Sequence, residues 1–218
     1  MVRPSARSFS ARLRKLIRDH VFDVDHVIYF EMPLDREPRR VKQPDGTKVH
    51  RATNEVEIRP LAEAFPKRAK YFLSYMSQGA SAFFLVRQGT VLGYIFATTK
   101  DFYDRFLWKN TVSVKPGQFF HFAGFMSPGR RGSISTIFLF EALLAHYRER
   151  GYTTATTTIS ARNEQSWRLC LGMGYVQKPV AWDVYKLFGL RWSRPTDVRV
   201  WVKLPDRGKA GTKAQSVE

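Results

Sequence analysis

The chain has 218 residues, 44% of them hydrophobic and 17 of them Phe, which is enough for one packed domain with appendages and too apolar for a disordered polymer. Its 36 Lys+Arg against 19 Asp+Glu leave a net charge of +17, which attracts polyanions of any kind (nucleic acid, anionic lipid, a nucleotide, an acidic carrier protein) without choosing among them. A single Cys excludes an internal disulfide framework, the His and Cys residues offer no metal-ligand cluster, and no apolar run reaches the roughly 20 residues of a membrane-crossing helix.

From the N-terminus, "SARLRKLIRDHVF" places Phe9, Leu13, Leu16, Ile17 and Val21 on one helical face, with Ser8 or Ser10 as cap. Three readings stay open for it: docking on the domain, lying on an anionic membrane surface, or an organellar transit peptide. "HVIYFEMPL" (26–34) has the β-branched and aromatic content of a strand, and residues 35–52, with Pro-Asp-Gly at 44–46, read as a loop or linker. The expected domains are therefore 1–53 (basic helix, strand, linker), 54–204 (main domain) and 205–218 (disordered tail). "NEVEIRPL" alternates Val56 and Ile58 against Glu55, Glu57 and Arg59, predicting an opening strand. A helical stretch follows, interrupted or restarted at Pro66. Two apolar runs around Gln88-Gly89-Thr90 then give a hairpin signal.

An aromatic, polar loop (101–116) leads to the strand "QFFHFAGFMSP", a break at "GRRGSIST", and a helix with Leu139, Leu143 and Tyr147 in register and Gly151 beyond its end. "TTATTTIS" reads as a strand, Asn163 starts a short helix ending near Gly172 or Gly174, and "YVQKPVAWDVYKLFG" and "DVRVWVKL" are two further strand candidates. Strands mixed with crossover helices predict an α/β or α+β sheet with helices on both faces.

The corner between "FAGFM" and the following helix turns backbone N–H groups toward the positive end of a helix dipole, with Arg130 and Arg131 beside it. That suits a phosphate; the alternative is a basic turn before a core helix. Strand alternation puts His121 on one side with Ala123 and Phe125, opposite Phe120, Phe122 and Gly124. His121 is there either a hydrogen-bonded core residue or a base. Cys170 is either a small buried hydrophobe or a weak acid.

From about 54 to 190 the chain resembles the GCN5-related N-acetyltransferase (GNAT) superfamily. The likeness rests on "FAGFMSPGRRGSISTIFLFEALLAHYRERGY", on "ISARNEQSWRLCLGMGY" and on the hairpin "FFLVRQGTVLGYIFATT", in that family's order. The resemblance implies a central mixed, mostly antiparallel sheet with a splayed strand pair. It implies acetyl-CoA or another acyl-CoA as donor, no metal, and direct transfer of the acyl group to a primary amine. By the same resemblance, backbone groups of Phe125 and Met126 would hold the pantetheine arm. The loop Arg130, Arg131, Gly132, Ser133, Ile134, Ser135 and Thr136 would cradle the pyrophosphate, and Asn163 with Ser166 would contact the arm. Cys170 holds the position of the family's usual Tyr acid, and His121 is the first candidate base, with Glu55, Glu57, Asp101 and Asp104 as weaker ones.

The loop departs from the family's glycine pattern. Counted from Arg130 the glycine positions are Ser133 and Ser135; counted from Arg131 they are Ile134 and Thr136. Two alternatives therefore stand beside the leading reading: an acyl-carrier-protein-dependent acyltransferase, whose donor lacks the nucleotide, and a non-catalytic GNAT-like binding module. The expected partners are an amine acceptor, an acidic carrier protein or an anionic membrane surface; nucleic acid is disfavoured because no motif beyond charge points to it. The expected location is cytoplasmic, with peripheral membrane association or an organelle as alternatives.

Overall fold

The computed structural model describes residues 22–203; the basic segment ahead of them and the tail beyond them, with the helix and the disorder expected there, lie outside the described residues. The elements are β1 (Phe22–Pro33), β2 (Thr47–Ala52), α1 (Arg59–Ala64), a 3-10 turn (Pro66–Arg68), α2 (Ala69–Ser77), β3 (Ser81–Arg87), β4 (Thr90–Thr98), β5 (Phe102–Tyr103), β6 (Thr111–Val112), β7 (Gln118–Met126), α3 (Ile134–Arg148), β8 (Thr154–Ser160), α4 (Glu164–Met173), β9 (Val176–Leu187) and β10 (Leu190–Thr196). Eight strands form one sheet in the order β10-β9-β1-β8-β7-β4-β3-β2, and β5 pairs with β6 apart from it. Every neighbouring pair in the large sheet is antiparallel except β7 and β8.

Alternating side chains feed a separate core on each face. One contains Ile28, Phe30, Phe119, Leu139, Leu143 and Cys170, under α3 and α4. The other contains Tyr29, Phe72, Tyr75, Phe96, Phe120 and Phe122, under α1 and α2. The second is the more aromatic: Tyr75 alone lies edge-on to Phe96 and to Phe122, at centroid distances of 5.1 and 5.0 Å. The two-residue turns Gln88-Gly89 and Phe188-Gly189 have positive φ at both positions, the twist that matches antiparallel strands.

Four expectations are corrected. Residues 54–58 are not a strand: the Asn54 side-chain oxygen accepts the amides of Val56 and Glu57, both at 3.0 Å, and Glu57 accepts the Thr53 amide at 2.7 Å. These local bonds coil the chain into a turn ahead of α1 despite the apolar alternation. Residues 47–52 are not linker but the edge strand β2, paired along β3. "DVRVWVKL" is not a strand over its described residues; β10 is the preceding run, and 197–203 cross the α4 side of the sheet instead. That strap is held by Arg199 on Asp183 at 2.5 Å, by the Val202 amide on Gln177 at 2.8 Å, and by Val202 packing on the core. Finally, β1 lies between β8 and β9, so the strand placed ahead of the main domain sits inside its sheet and position 53/54 is not a structural divide.

Candidate functional site

The parallel pairing of β7 with β8 stops early. Gln118 through His121 pair with Thr154 through Thr157, and no further. Beyond that point β7 stays with β4 as far as Met126, while β8 stays with β1 as far as Ser160. The two strands therefore part, and Gly124, in the middle of β7, is exposed. A bulge accompanies the parting: Phe122 pairs with Phe96 and Phe125 with Tyr94, so β7 carries one extra residue, and Ala123 takes a φ of 51°. The bulge corrects the simple alternation. Phe122 and Phe125 both join the α1/α2 face, so Phe125 lies opposite His121.

Gly93 faces this turn of β7 because a Cβ there would stand 2.6 Å from the Phe125 carbonyl oxygen. The ring of Phe125 stacks on Tyr94 at 5.6 Å, with the Arg68 guanidinium 4.4 Å and the Arg131 guanidinium 6.0 Å from its centroid. Arg68 also donates to the Tyr94 hydroxyl at 2.5 Å, and Arg131 Nε donates to the Met126 carbonyl at 3.3 Å.

From Met126 the chain turns through Gly129 and Gly132, both at positive φ, into α3. Ser133, extended at the N-cap, makes no side-chain bond to the first turn. Its hydroxyl and that of Thr136 instead donate to the Arg130 carbonyl, at 2.6 and 2.8 Å. The first amides of α3, at Ile134 and Ser135, stand at the positive end of the helix dipole without a side-chain cap from Ser133. Among the described residues nothing lies within 4 Å of a Cβ built on Gly129 or Gly132, so the chain is open to solvent at these two turns. On the α1/α2 face beside the end of β7 lies a cleft of about 790 Å³, lined by His50, Glu57, Phe65, Phe84, Val91 and Ser127 among others.

This architecture has known counterparts. A GCN5-related N-acetyltransferase from Sphaerobacter thermophilus matches 89% of this chain and 58% of that one at 16% identity and a TM-score of 0.54. A functionally unknown conserved protein from Staphylococcus epidermidis matches 85% of this chain and 69% of its own at 7% identity, with a TM-score of 0.53. A tandem GNAT protein from the clavulanic acid biosynthesis pathway matches 89% and 59% at 14% identity, with a TM-score of 0.50. The chain has the GNAT fold. It spans under two thirds of the length of the first and third of these structures. No family model matches it, and no curated protein sequence does.

Within this GNAT fold the expected acid and base are buried: His121 stands at the last pair before β7 and β8 part, with its side chain in the α3/α4 core, and Cys170 lies on α4. His121 is 3% exposed, and its Nε2 lies 2.6 Å from the hydroxyl of Tyr175, itself 2% exposed. Burial pushes the imidazole down to about 3, so the ring is neutral and shares one hydrogen bond with the Tyr175 hydroxyl in a closed pair. Cys170, 3% exposed under α4, has its thiol pushed up to about 12 by the same cause, which suits a small core side chain better than an acid that must part with its proton. Asn163 caps α4, accepting the Ser166 amide at 3.3 Å. The weaker carboxylates are occupied or remote: Glu57 holds the 53–57 turn, Asp101 accepts the Val114 amide at 2.8 Å, Asp104 caps the turn at Phe106 and Leu107, and Glu55 is exposed.

The sequence reading missed Asp25. It lies on the α1/α2 side of β1, where Val27 pairs with Ser160, and its carboxylate accepts the Ser160 hydroxyl at 2.6 Å. Burial raises this carboxyl above its ordinary range, against the lowering pull of Ser160 and Arg162. Two residues down β8, the buried Thr158 Oγ1 has no hydrogen-bond partner among the described residues. Both therefore stand on the strand pair bordering the parting. The signal available was "DVDHV", whose alternation puts Asp23 and Asp25 on one side; what was lacking was the knowledge that this strand lies next to β8.

Proposed function

We propose that the protein is an N-acyltransferase that moves an acyl group from acyl-CoA to a primary amine by direct attack. The observation that carries the reading is the parting of β7 from β8 after His121 and Thr157, with an exposed Gly124 in it, leading to an open, glycine-turned corner at the start of α3. A parted strand pair offers backbone N–H and C=O groups to an extended arm, as an added strand would take them. Phe125 and Met126 are the residues to hold pantetheine, although Arg131 shares the Met126 carbonyl. The corner amides with Arg130 and Arg131 are the groups to hold the diphosphate.

Asp25 is the proposed base. With the thioester in the parting, the carboxylate takes a proton from the acceptor ammonium, and the freed nitrogen attacks the thioester carbonyl carbon. Amides of β7 stabilise the oxyanion; as it collapses the C–S bond breaks, and the leaving thiolate takes up the second proton that the nitrogen sheds. The raised carboxyl suits this task better than an exposed one, since basicity rises with pKa. A calorimetric titration with acetyl-CoA and longer acyl-CoAs, followed by an amine panel, tests the reading. Binding followed by thiol release supports it, and no binding of any acyl-CoA removes it.

One observation favours a second donor. The Ser133 and Thr136 hydroxyls are turned onto the Arg130 carbonyl rather than outward, so the corner offers a phosphate fewer donors than its residue types promise. A phosphopantetheine arm on an acidic carrier protein places less demand on that corner. Comparing transfer rates from acyl-CoA and from acyl-carrier protein separates the two donors.

A further inference from the structure

We infer that the end of the molecule built from the β9–β10 turn, the 105–109 loop and the first residue of β1 is a docking surface for an anionic membrane. The strand register gathers it: Phe22 and Leu190 both pair with Leu187, on either side of β9. The loop is tied to the same place, because Arg191 Nη1 donates to the Phe106 carbonyl at 2.9 Å and Ser193 Oγ to the Lys109 carbonyl at 3.0 Å. The apolar side chains gathered there are uncovered: Phe188 is 73% exposed, Leu190 70%, Phe22 47% and Leu107 43%.

Phe188 is the clearest of them. It holds a φ of 45° in a two-residue turn, a conformation that Asn and Gly adopt readily and a bulky aromatic does not. Its exposure gives no packing reason for the choice. An aromatic kept at the apex of a turn, against its backbone preference and in water, is accounted for if the apex enters an apolar medium.

The surrounding charge names the medium. Arg105, in the same loop as Leu107, and Arg191, next to Leu190, are both exposed, and Lys186 pairs with Arg191 across the hairpin. The nearby acids are engaged within the protein: Asp23 is bonded to Arg162, and Asp104 is buried in its loop. The surface is an exposed apolar turn with cations beside it. Such a shape lets Phe188 and Leu190 enter the boundary between headgroups and acyl chains while the guanidiniums meet lipid phosphates. The β7–β8 parting opens at this same end of the sheet, since the C-terminal end of β8 lies beside the N-terminal part of β1. The docking inference stands on its own whether or not the chain transfers acyl groups.

The test is flotation of the full-length protein with vesicles of phosphatidylcholine alone and of phosphatidylcholine mixed with phosphatidylglycerol, at low and high salt. The variants are Phe188→Asn/Leu190→Ser, in which Asn suits the turn and protects folding, and Arg105→Glu. Each is checked by thermal melting. The expected result is binding to the anionic vesicles, weakened by salt, with an unchanged melt and about a ten-fold or larger loss of partitioning in the double variant, in keeping with the loss of several buried apolar carbons. Arg105→Glu is expected to cost about five-fold or more. The inference is overturned if anionic vesicles do not bind, if binding ignores the Phe188/Leu190 change, or if those substitutions abolish capture by an acidic carrier protein while vesicles stay unbound.

Discussion

The two faces of the sheet are made by the same strands, yet they differ in what their polar groups are free to do. Under α3 and α4, His121 and Tyr175 close on each other, and the Cys170 thiol lies among Leu, Phe and Met side chains. Under α1 and α2, polar groups border the parting: Asp25 with Ser160, the Thr158 hydroxyl, which has no partner among the described residues, and Arg68 with Tyr94 beside Phe125. The first face closes its ionisable pair, and the buried polar atoms without partners there among the described residues, Trp167 Nε1 and Arg148 Nη1, stand on α4 and α3 and not on the parting strands. The second leaves charge and hydrogen-bonding capacity along the parting strands, which is where a ligand is to be looked for.

The largest effect that would break this contrast is expected at Asp25. If it is the base, Asp25→Asn lowers kcat/KM by about 100-fold or more while the melting temperature holds. The pH profile of the wild type should rise as the Asp25 carboxyl loses its proton, at a pH above the ordinary carboxylate range, and the variant should lose that limb. An unchanged profile would return Asp25 to a structural role.

Next comes Gly93→Ala, whose Cβ would press on the Phe125 carbonyl and the Met126 side chain. A destabilisation of about 1–3 kcal/mol by denaturant titration is expected, together with weaker donor binding, because the bulged stretch of β7 must shift. On the closed face, Tyr175→Phe strands the buried His121 nitrogen and should cost about 1–3 kcal/mol.

The same pair predicts a pH dependence of stability. His121 titrates near its ordinary value when unfolded but at about 3 when folded, so below that ordinary value the unfolded chain binds the extra proton. Stability from this group is complete above that pH and falls as pH drops toward 3, by at most about 1.4 kcal/mol per unit. His121→Phe should flatten that slope. The smallest effect is expected for Cys170→Ala: stability lower by about 1 kcal/mol and turnover retained. Loss of turnover in that variant would restore the thiol as an acid.

Much of the fold was legible because its signals are local. The hairpin at Gln88-Gly89, the Asn163 cap and the long α3 pattern each reside in one short continuous stretch of chain, and each stands where the sequence put it. The superfamily resemblance supplied the sheet type and the parting strands. What failed depends on distant partners. Local bonds from Asn54 and Glu57 overrode the alternation of "NEVEIRPL". The bulge at Ala123 moved Phe125 to the other face. The insertion of β1 beside β8, which brings Asp25 to the parting, joins residues more than a hundred positions apart. His121 and Cys170 carry the residue types expected of a site but lie where water does not reach.

The central claim is that an acyl donor lies between β7 and β8 with its phosphates on the corner before α3. Amide hydrogen exchange of the full chain, with and without saturating acyl-CoA, tests it most directly. The account predicts new protection at 122–126 and 131–135, with little change at 118–121, where pairing is already complete. Equal exchange in both states, or protection confined to other strands, would contradict it.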